Sequence, residues 1–576
     1  MRLSDRWLAE LENILRRSRL LPAAHRVRRV VKLFKEPAFQ RQERLQHQRF
    51  RQFRRQHGVV LRHRVRGASE SGRQALMLGL GLGVERRLGF LKGLELAGFK
   101  PNVLILDVRK AGILRAYHRL NANGRIDVFD EFMGSLDYRM AERALAACRS
   151  LEEVVAIERD GVRVGRIAVS TFLKWHRVGS VDLETPETRW RFVKLLARSM
   201  QAAAGAHRAL KTIRPQLMWL VDGVYTPEAE LFDACLAQGI DTIAWTSGHR
   251  SNTVIFKRYT RQTRDQHPKS LSAQTWRMVR EMPWTDAHRE RLSQELYGSY
   301  ASGDWQSHVG TQVDKQLAEA DEVRRQLGLD PAKKTAVIFP HILWDGSLSW
   351  GTDLFLGYEE WLIETVRAAC RNDRINWVLK IHPANVGKST KAGFTGEPSE
   401  VTALRRRIGS LPPHIIFVPA EHRLSTFSLY SVMDYCVTVR GTVGIEAARL
   451  GIPVLNGGTG RYSGKGFTLD PASQDAYLDR IAHLQDVPPL SATQRELAER
   501  FAYGTFIVRP LRLSSITSAW QLDEAKRHGS AQRAFQLHIA SPEDWYTAPD
   551  LRAFADWVQS DATDFIAPEE PRGLRR

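Results

Sequence analysis

The chain has 576 residues, 43% hydrophobic and 26% charged, a globular balance that excludes a wholly disordered or fibrous protein. It is too long for one ordinary core, so two or three domains are expected. The formal charge of +21 is uneven: residues 1–73 hold 20 Lys+Arg against 6 Asp+Glu, a net +14, which leaves +7 for the other 503. A partner for that basic arm must be anionic, whether lipid headgroups, nucleic acid or an acidic glycan.

No stretch reaches the roughly 18 consecutive apolar residues that crossing a bilayer requires. The N-terminus carries Asp5, Glu10 and Glu12 and has no signal-like apolar core. Cys148, Cys235, Cys370 and Cys436 are scattered without a CxxC pair, so neither a disulfide framework nor a structural zinc site is expected. These features predict a cytoplasmic protein.

In the arm, Leu3, Trp7, Leu8, Leu11, Ile14 and Leu15 recur at helical spacing, and Phe50 and Phe53 sit between arginines in residues 40–57. Three readings fit. The apolar stripe packs on the body, or it lies in an anionic membrane surface, or the basic and aromatic residues grip nucleic acid.

From Arg73 the texture changes. Residues 75–80 read as a strand, 84–97 as a helix ended by Gly98, and 102–106 as a second strand, together a βαβ unit. The turn carries Gly79, Gly81 and Gly83, without the dinucleotide-binding spacing. Farther on, a helix over 188–211 precedes the buried strand 217–221, which ends in Asp222-Gly223. A helix between Pro227 and Gly239 leads to the strand 240–245, which ends in Ser247-Gly248-His249-Arg250. Two consecutive strands thus deliver polar residues and glycines to their carboxyl ends, the edge where open α/β sheets bind ligands.

The alternation resumes with strands at 335–339, 376–381, 415–418 and 435–439 and a helix over 358–370. The strand 376–381 ends at Lys380, His382 and Pro383. The last strand runs into Arg440, Gly441 and Thr442 at a helix start, with Gly444 and Glu446 in its first turns. Such a turn suits a phosphate or diphosphate: Gly441 and Gly444 permit close backbone approach, Arg440 offers a cation, and Glu446 can accept hydrogen bonds from ribose.

These residues carry a resemblance. The runs FPHILWDGS, NWVLKIHPAN and VTVRGTVGIEAARLGIPVLNGGTGRYSGKGFTLDP resemble the C-terminal half of bacterial capsule-polysaccharide biosynthesis glycosyltransferases, the group that includes retaining β-Kdo transferases. DGVRVGRIAVSTFLKWHR and LVDGVYTPEAELFDACLAQGIDTIAWTSGHR are similar to that group's first domain, so the likeness spans roughly residues 151–471. It implies an α/β GT-B architecture, two Rossmann-like domains facing a cleft. On this division residues 1–73 are a basic helical arm, 74–325 the acceptor and catalytic domain, 326–498 the nucleotide-sugar domain, and 499–576 a helical tail.

By the resemblance, Lys380, His382, Arg440, Gly441, Thr442, Gly444 and Glu446 hold the donor, and Asp222 is the carboxylate at the anomeric carbon, with Glu158 a second candidate. Asp222 is followed by Gly-Val, where many members have Asn-Gly-Arg. His249 and Arg250 are candidates to position donor or acceptor, and Trp344 and Trp350 either stack on sugar or, as Trp more commonly does, pack in the core. The function implied is sugar transfer, with CMP-Kdo among the donors, to a surface polysaccharide or lipid-linked glycan at the inner face of an anionic membrane, with no separate cofactor or metal. The alternatives are a teichoic-acid-type polyol-phosphate transferase, a non-catalytic glycan-assembly scaffold and a nucleic-acid binder.

Overall fold

A computed structural model describes residues 11, 13–15, 24, 27, 37–65, 72–79, 84–107, 110–121, 123–221, 223–306, 311, 315–386, 396–521 and 532–568. Asp222, Gly81, Gly83 and most of residues 1–36 lie outside that set.

The first sheet contains β1 (Gln74–Gly79), β2 (Lys100–Ile105), β3 (Ile126–Val128), β4 (Leu217–Leu220), β5 (Asp241–Ser247), β6 (Thr253–Tyr259) and β12 (Leu511–Arg512). Their spatial order is β12-β6-β5-β4-β1-β2-β3. The strands from β3 to β5 run parallel, while β6 and β12 are antiparallel additions at one edge. The second sheet, β11-β10-β7-β8-β9, is parallel throughout. It is built from β7 (Thr335–Ile338), β8 (Asn376–Lys380), β9 (Ile415–Val418), β10 (Tyr435–Thr438) and β11 (Val454–Asn456). Both are doubly wound Rossmann-like sheets, and each reverses its strand order beside its first strand, between β1 and β4 and between β7 and β10. Together they form the GT-B-like pair facing a cleft.

The strand sequences account for this. LMWL in β4, TAVI in β7 and YCVT in β10 are buried along their whole length, as strands covered by helices on both faces must be. Four hydrophobic clusters result, two for each sheet. The helices Ala273–Glu281 and Asp286–Ala301 follow the first sheet in sequence, but Trp276, Val279 and Leu296 share a cluster with Val337, Val378 and Phe501 of the second unit.

The tail differs from the all-helical expectation. After the helix Ala492–Tyr503 the chain returns to the first unit, adds β12 to β6, and forms an antiparallel hairpin of β13 (Ile516–Gln521) and β14 (Gln532–Leu537). The helix Pro549–Gln559 then packs Phe554 against Phe90 at 5.2 Å. A fully buried triad fixes this crossing. The Asp564 carboxylate accepts from Lys257 Nζ at 2.9 Å and from the Ser272 amide at 2.6 Å, and it pairs with Arg509 at 3.2 Å. Arg509 also donates to the Phe256, Pro268 and Ser270 carbonyls.

Among the described residues of the arm, Pro37–Arg62 is one 26-residue helix. Its apolar stripe rests on the first unit, with Phe50 and Phe53 4.9 and 5.4 Å from the Tyr117 ring. For Phe50 and Phe53 packing on the body is what is found, while Leu3, Trp7 and Leu8 of the expected stripe lie outside the described residues. No described helix is long and apolar enough to cross a membrane.

Candidate active site

The carboxyl ends of β7, β8 and β10 open onto a cleft of about 320 Å³, closed on its other side by residues 246, 267–269, 300, 305 and 306. The turn after β10 is set by packing. Thr438 Oγ1 accepts from the Gly441 amide at 3.3 Å, and the Tyr462 hydroxyl donates to the Gly441 carbonyl at 2.9 Å. A Cβ on Gly444 would collide with that hydroxyl, so Gly444 serves the close approach of Tyr462. The following helix, Thr442–Ala448, has only seven residues. Its dipole is correspondingly short, and side chains supply the main positive charge.

Arg440 and Arg461 both line the cleft and are 3% and 8% exposed. Burial pushes both below the usual guanidinium range, to about 9 and about 10, so each remains a cation at neutral pH. Arg440 is paired with Asp353, and a Cβ on Gly458 would intrude on both side chains. Arg461 donates to the Arg440 carbonyl through one terminal nitrogen at 3.3 Å, while its Nε and other terminal nitrogen have no protein acceptor. Lys380 is 2% exposed and is lowered to about 7, chiefly by burial and then by Lys315.

Three cleft histidines have one ring nitrogen occupied as an acceptor. Nδ1 of His267 accepts from the Lys269 amide at 3.0 Å, and Nδ1 of His382 from the Ala384 amide at 3.1 Å. Nε2 of His341 accepts from the Arg440 amide at 3.3 Å. Each neutral ring therefore carries its proton on the other nitrogen, as a donor. Burial, followed by the neighbouring cations, holds His267 and His341 well below their ordinary value, so they stay neutral. The cleft thus combines fixed cations with neutral N–H donors, a surface suited to phosphate oxygens.

The structure brings Lys380, His382, Arg440, Gly441 and Thr442 together on the cleft wall. Glu446 lies behind that wall, buried, with Oε2 accepting from the hydroxyls of Tyr300 at 2.7 Å and Tyr430 at 3.0 Å. His249 is not on the wall. It is packed between Trp305 and Phe506, and its Nε2 is 2.7 Å from Glu295. Arg250 also pairs with Glu295, at 2.9 Å. Glu158 is exposed and off the cleft. The flanks of Asp222 are pinned: the Val221 amide donates to Glu228 at 2.9 Å, and the Gly223 carbonyl accepts from Arg264 at 2.9 Å. Trp350 reaches the cleft and meets His267 edge-on at 4.9 Å, whereas Trp344 is buried beneath Lys174.

Sequence reading missed His267, His341 and Arg461. The one signal in the sequence was that His341 comes just past the end of β7, three residues on, as His382 comes two residues past the end of β8. Asp345, also on the cleft, holds the two units together: it pairs with Lys174 at 2.6 Å and accepts from the Tyr225 hydroxyl at 3.1 Å. Among the described residues no group of three or more His, Cys, Asp or Glu side chains is placed to hold a metal ion.

No protein-family model matches the chain, and no curated protein does. Solved structures align with it at low scores. One is the β-Kdo 2,4 transferase KpsC of Thermosulfurimonas dismutans, with 13% identity and a TM-score of 0.34 over 55% of this chain and 84% of that one. Another is the UDP-GlcNAc 2-epimerase of Neisseria meningitidis bound to UDP-GlcNAc, with 10% identity and a TM-score of 0.25 over 75% and 97%. A third is Anabaena Alr3699/HepE in complex with UDP and glucose, with 11% identity and a TM-score of 0.25 over 75% and 95%. At these values no residue role or substrate passes to this chain.

Proposed function

We propose that the protein is a nucleotide-sugar-dependent glycosyltransferase that uses this cleft for its donor, with CMP-Kdo one donor to test and a surface polysaccharide or glycolipid as acceptor. The observation that carries the reading is Arg461, a guanidinium 8% exposed on the cleft wall with two nitrogens lacking a protein acceptor. A buried cation left in this state is costly unless an anion completes it, and the neighbouring Arg440 and imidazole donors fit the same anion. During transfer the bond between the anomeric carbon and the phosphate oxygen breaks, and its electron pair stays on the phosphate. Arg440, Arg461 and Lys380 stabilise that charge electrostatically, fixed in place before the reaction.

In the sequence Asp222 comes two residues after β4, a strand that flanks the switch point of the first sheet. In this proposal its carboxylate either attacks the anomeric carbon, to be displaced by the acceptor hydroxyl, or takes the proton from that hydroxyl.

The test is calorimetric titration with CMP-Kdo, UDP-GlcNAc, GDP-mannose and CDP-glycerol, followed by transfer assays with the donor that binds. Saturable binding of a nucleotide sugar, with Asp222→Ala retaining binding and losing transfer, is the expected result. Binding of CDP-glycerol alone would move the protein to polyol-phosphate transfer. No nucleotide binding, together with salt-sensitive RNA binding, would overturn the reading.

A further inference from the structure

We propose that the outward face of the helix Pro37–Arg62 is a docking surface for an anionic lipid bilayer. The inference is separate from the chemistry of the cleft. The inward face is fully engaged: Phe50 and Phe53 lie on Tyr117, the Val60 carbonyl accepts from Trp545 Nε1 at 2.9 Å, and Leu61 is 1% exposed. Just past its end, the His63 carbonyl accepts from buried Lys92 at 2.6 Å, and the Val65 amide donates to Glu95 at 3.1 Å. The helix is therefore mounted on the body as a fixed ridge.

Its other face carries Arg41, Arg44, Arg51, Arg55 and Arg62, all exposed. At about 100° per residue they fall within an arc of about 80°. Leu45 and Val59, 50% and 78% exposed, lie along the same side, about 21 Å apart at the usual helical rise. Glu43, the only acidic residue of the helix, falls on the opposite side.

This composition discriminates between anionic partners. Nucleic-acid binding would use aromatic rings to stack bases, and Phe50 and Phe53, the rings set among these arginines, are spent on the body. The apolar side chains that face outward are aliphatic, and they gain from the acyl boundary of a bilayer. A straight ridge also meets a plane along its whole length. Two aliphatic side chains are too few to hold a protein on a neutral membrane, so attachment depends on the arginines, at about 1 kcal/mol each near an anionic surface. The membrane contact expected from the apolar stripe is thus relocated to the reverse of the helix.

The experiment is co-sedimentation of the full chain with phosphatidylcholine vesicles, with and without phosphatidylglycerol, at low and high salt, alongside poly(U) binding in the same buffers. The proposal expects binding that requires phosphatidylglycerol and is lost at high salt. Arg44→Glu/Arg51→Glu/Arg55→Glu should weaken vesicle binding by about 100-fold or more, and Leu45→Ser/Val59→Ser by several-fold. Circular dichroism and donor titration serve as fold controls, because these side chains are exposed. Equal binding to neutral vesicles, an unaffected triple variant, or tighter binding to poly(U) than to anionic vesicles would each overturn it.

Discussion

Substitution of Asp564 separates a buried charge network from ordinary packing. Lys257, Arg509 and Asp564 are each 0% exposed, two cations around one carboxylate. Those cations hold the Asp564 carboxyl down at about 2, from an ordinary 3.8, although burial alone would raise it. At about 1.4 kcal/mol per unit the shift is worth about 2.5 kcal/mol. The folded value lies below the unfolded one, so this stability is present above about pH 4 and is lost as the pH falls towards 2.

Asp564→Leu removes that gain and strands two buried cations, so the expected cost is about 3–5 kcal/mol. Lys257→Met should behave differently. Burial, the largest cause, lowers Lys257 from 10.5 to about 8, and folding with this charge costs about 3 kcal/mol at neutral pH, relieved as the pH rises from 8 towards 10.5. Removing the lysine abolishes that cost and leaves Asp564 paired with Arg509, so Lys257→Met should destabilise the fold far less than Asp564→Leu, by about 1 kcal/mol or less. Urea unfolding followed by circular dichroism and tryptophan fluorescence measures the two variants, with limited proteolysis reporting release of the tail. Equal midpoints for Asp564→Leu and Lys257→Met would refute the charge-count reasoning.

Two further predictions concern the cleft. Arg461→Met should weaken nucleotide-sugar binding by about 10- to 100-fold, the worth of one or two hydrogen bonds to a charged oxygen; unchanged affinity by calorimetry would remove Arg461 from the phosphate site. Lys380 gives the pH dependence: its value of about 7 in the free protein means that the cation fades as the pH rises through 7. Donor affinity should therefore fall by up to about tenfold per pH unit above 7, and Lys380→Met should be weaker and flat. A flat profile for the unaltered protein would exclude Lys380 from contact with the donor's charge.

The doubly wound sheets were legible because buried parallel strands read as short apolar runs followed by polar residues, as in NWVLKIHP and YCVTVRGT. The helix Tyr358–Cys370 and the strand Ile415–Val418 fall where periodicity places them. Three kinds of feature were not legible. Arg461 joins Arg440 only through the return of the loop after β11. His249 has the sequence setting of a strand-end site, yet Trp305 and Phe506, distant in sequence, enclose it. In the tail, β12 is two residues long and exists only because β6 offers an edge. Each depends on contacts that no local pattern encodes.

The return of residues 511–568 to the first unit has a consequence for biosynthesis. A ribosome delivers β1 to β6 early, but the surfaces of Phe90 and Phe256 are covered by Phe554, in the helix Pro549–Gln559, made long after β6 ends at Tyr259. The second sheet, whose five strands are contiguous in the chain, can close first. The nascent first unit must meanwhile keep an apolar face and an open strand edge in water, a state prone to aggregation. Expression of residues 1–325 alone should therefore give insoluble material. The wall of the cleft that the second unit supplies can thus form before the first unit has been covered.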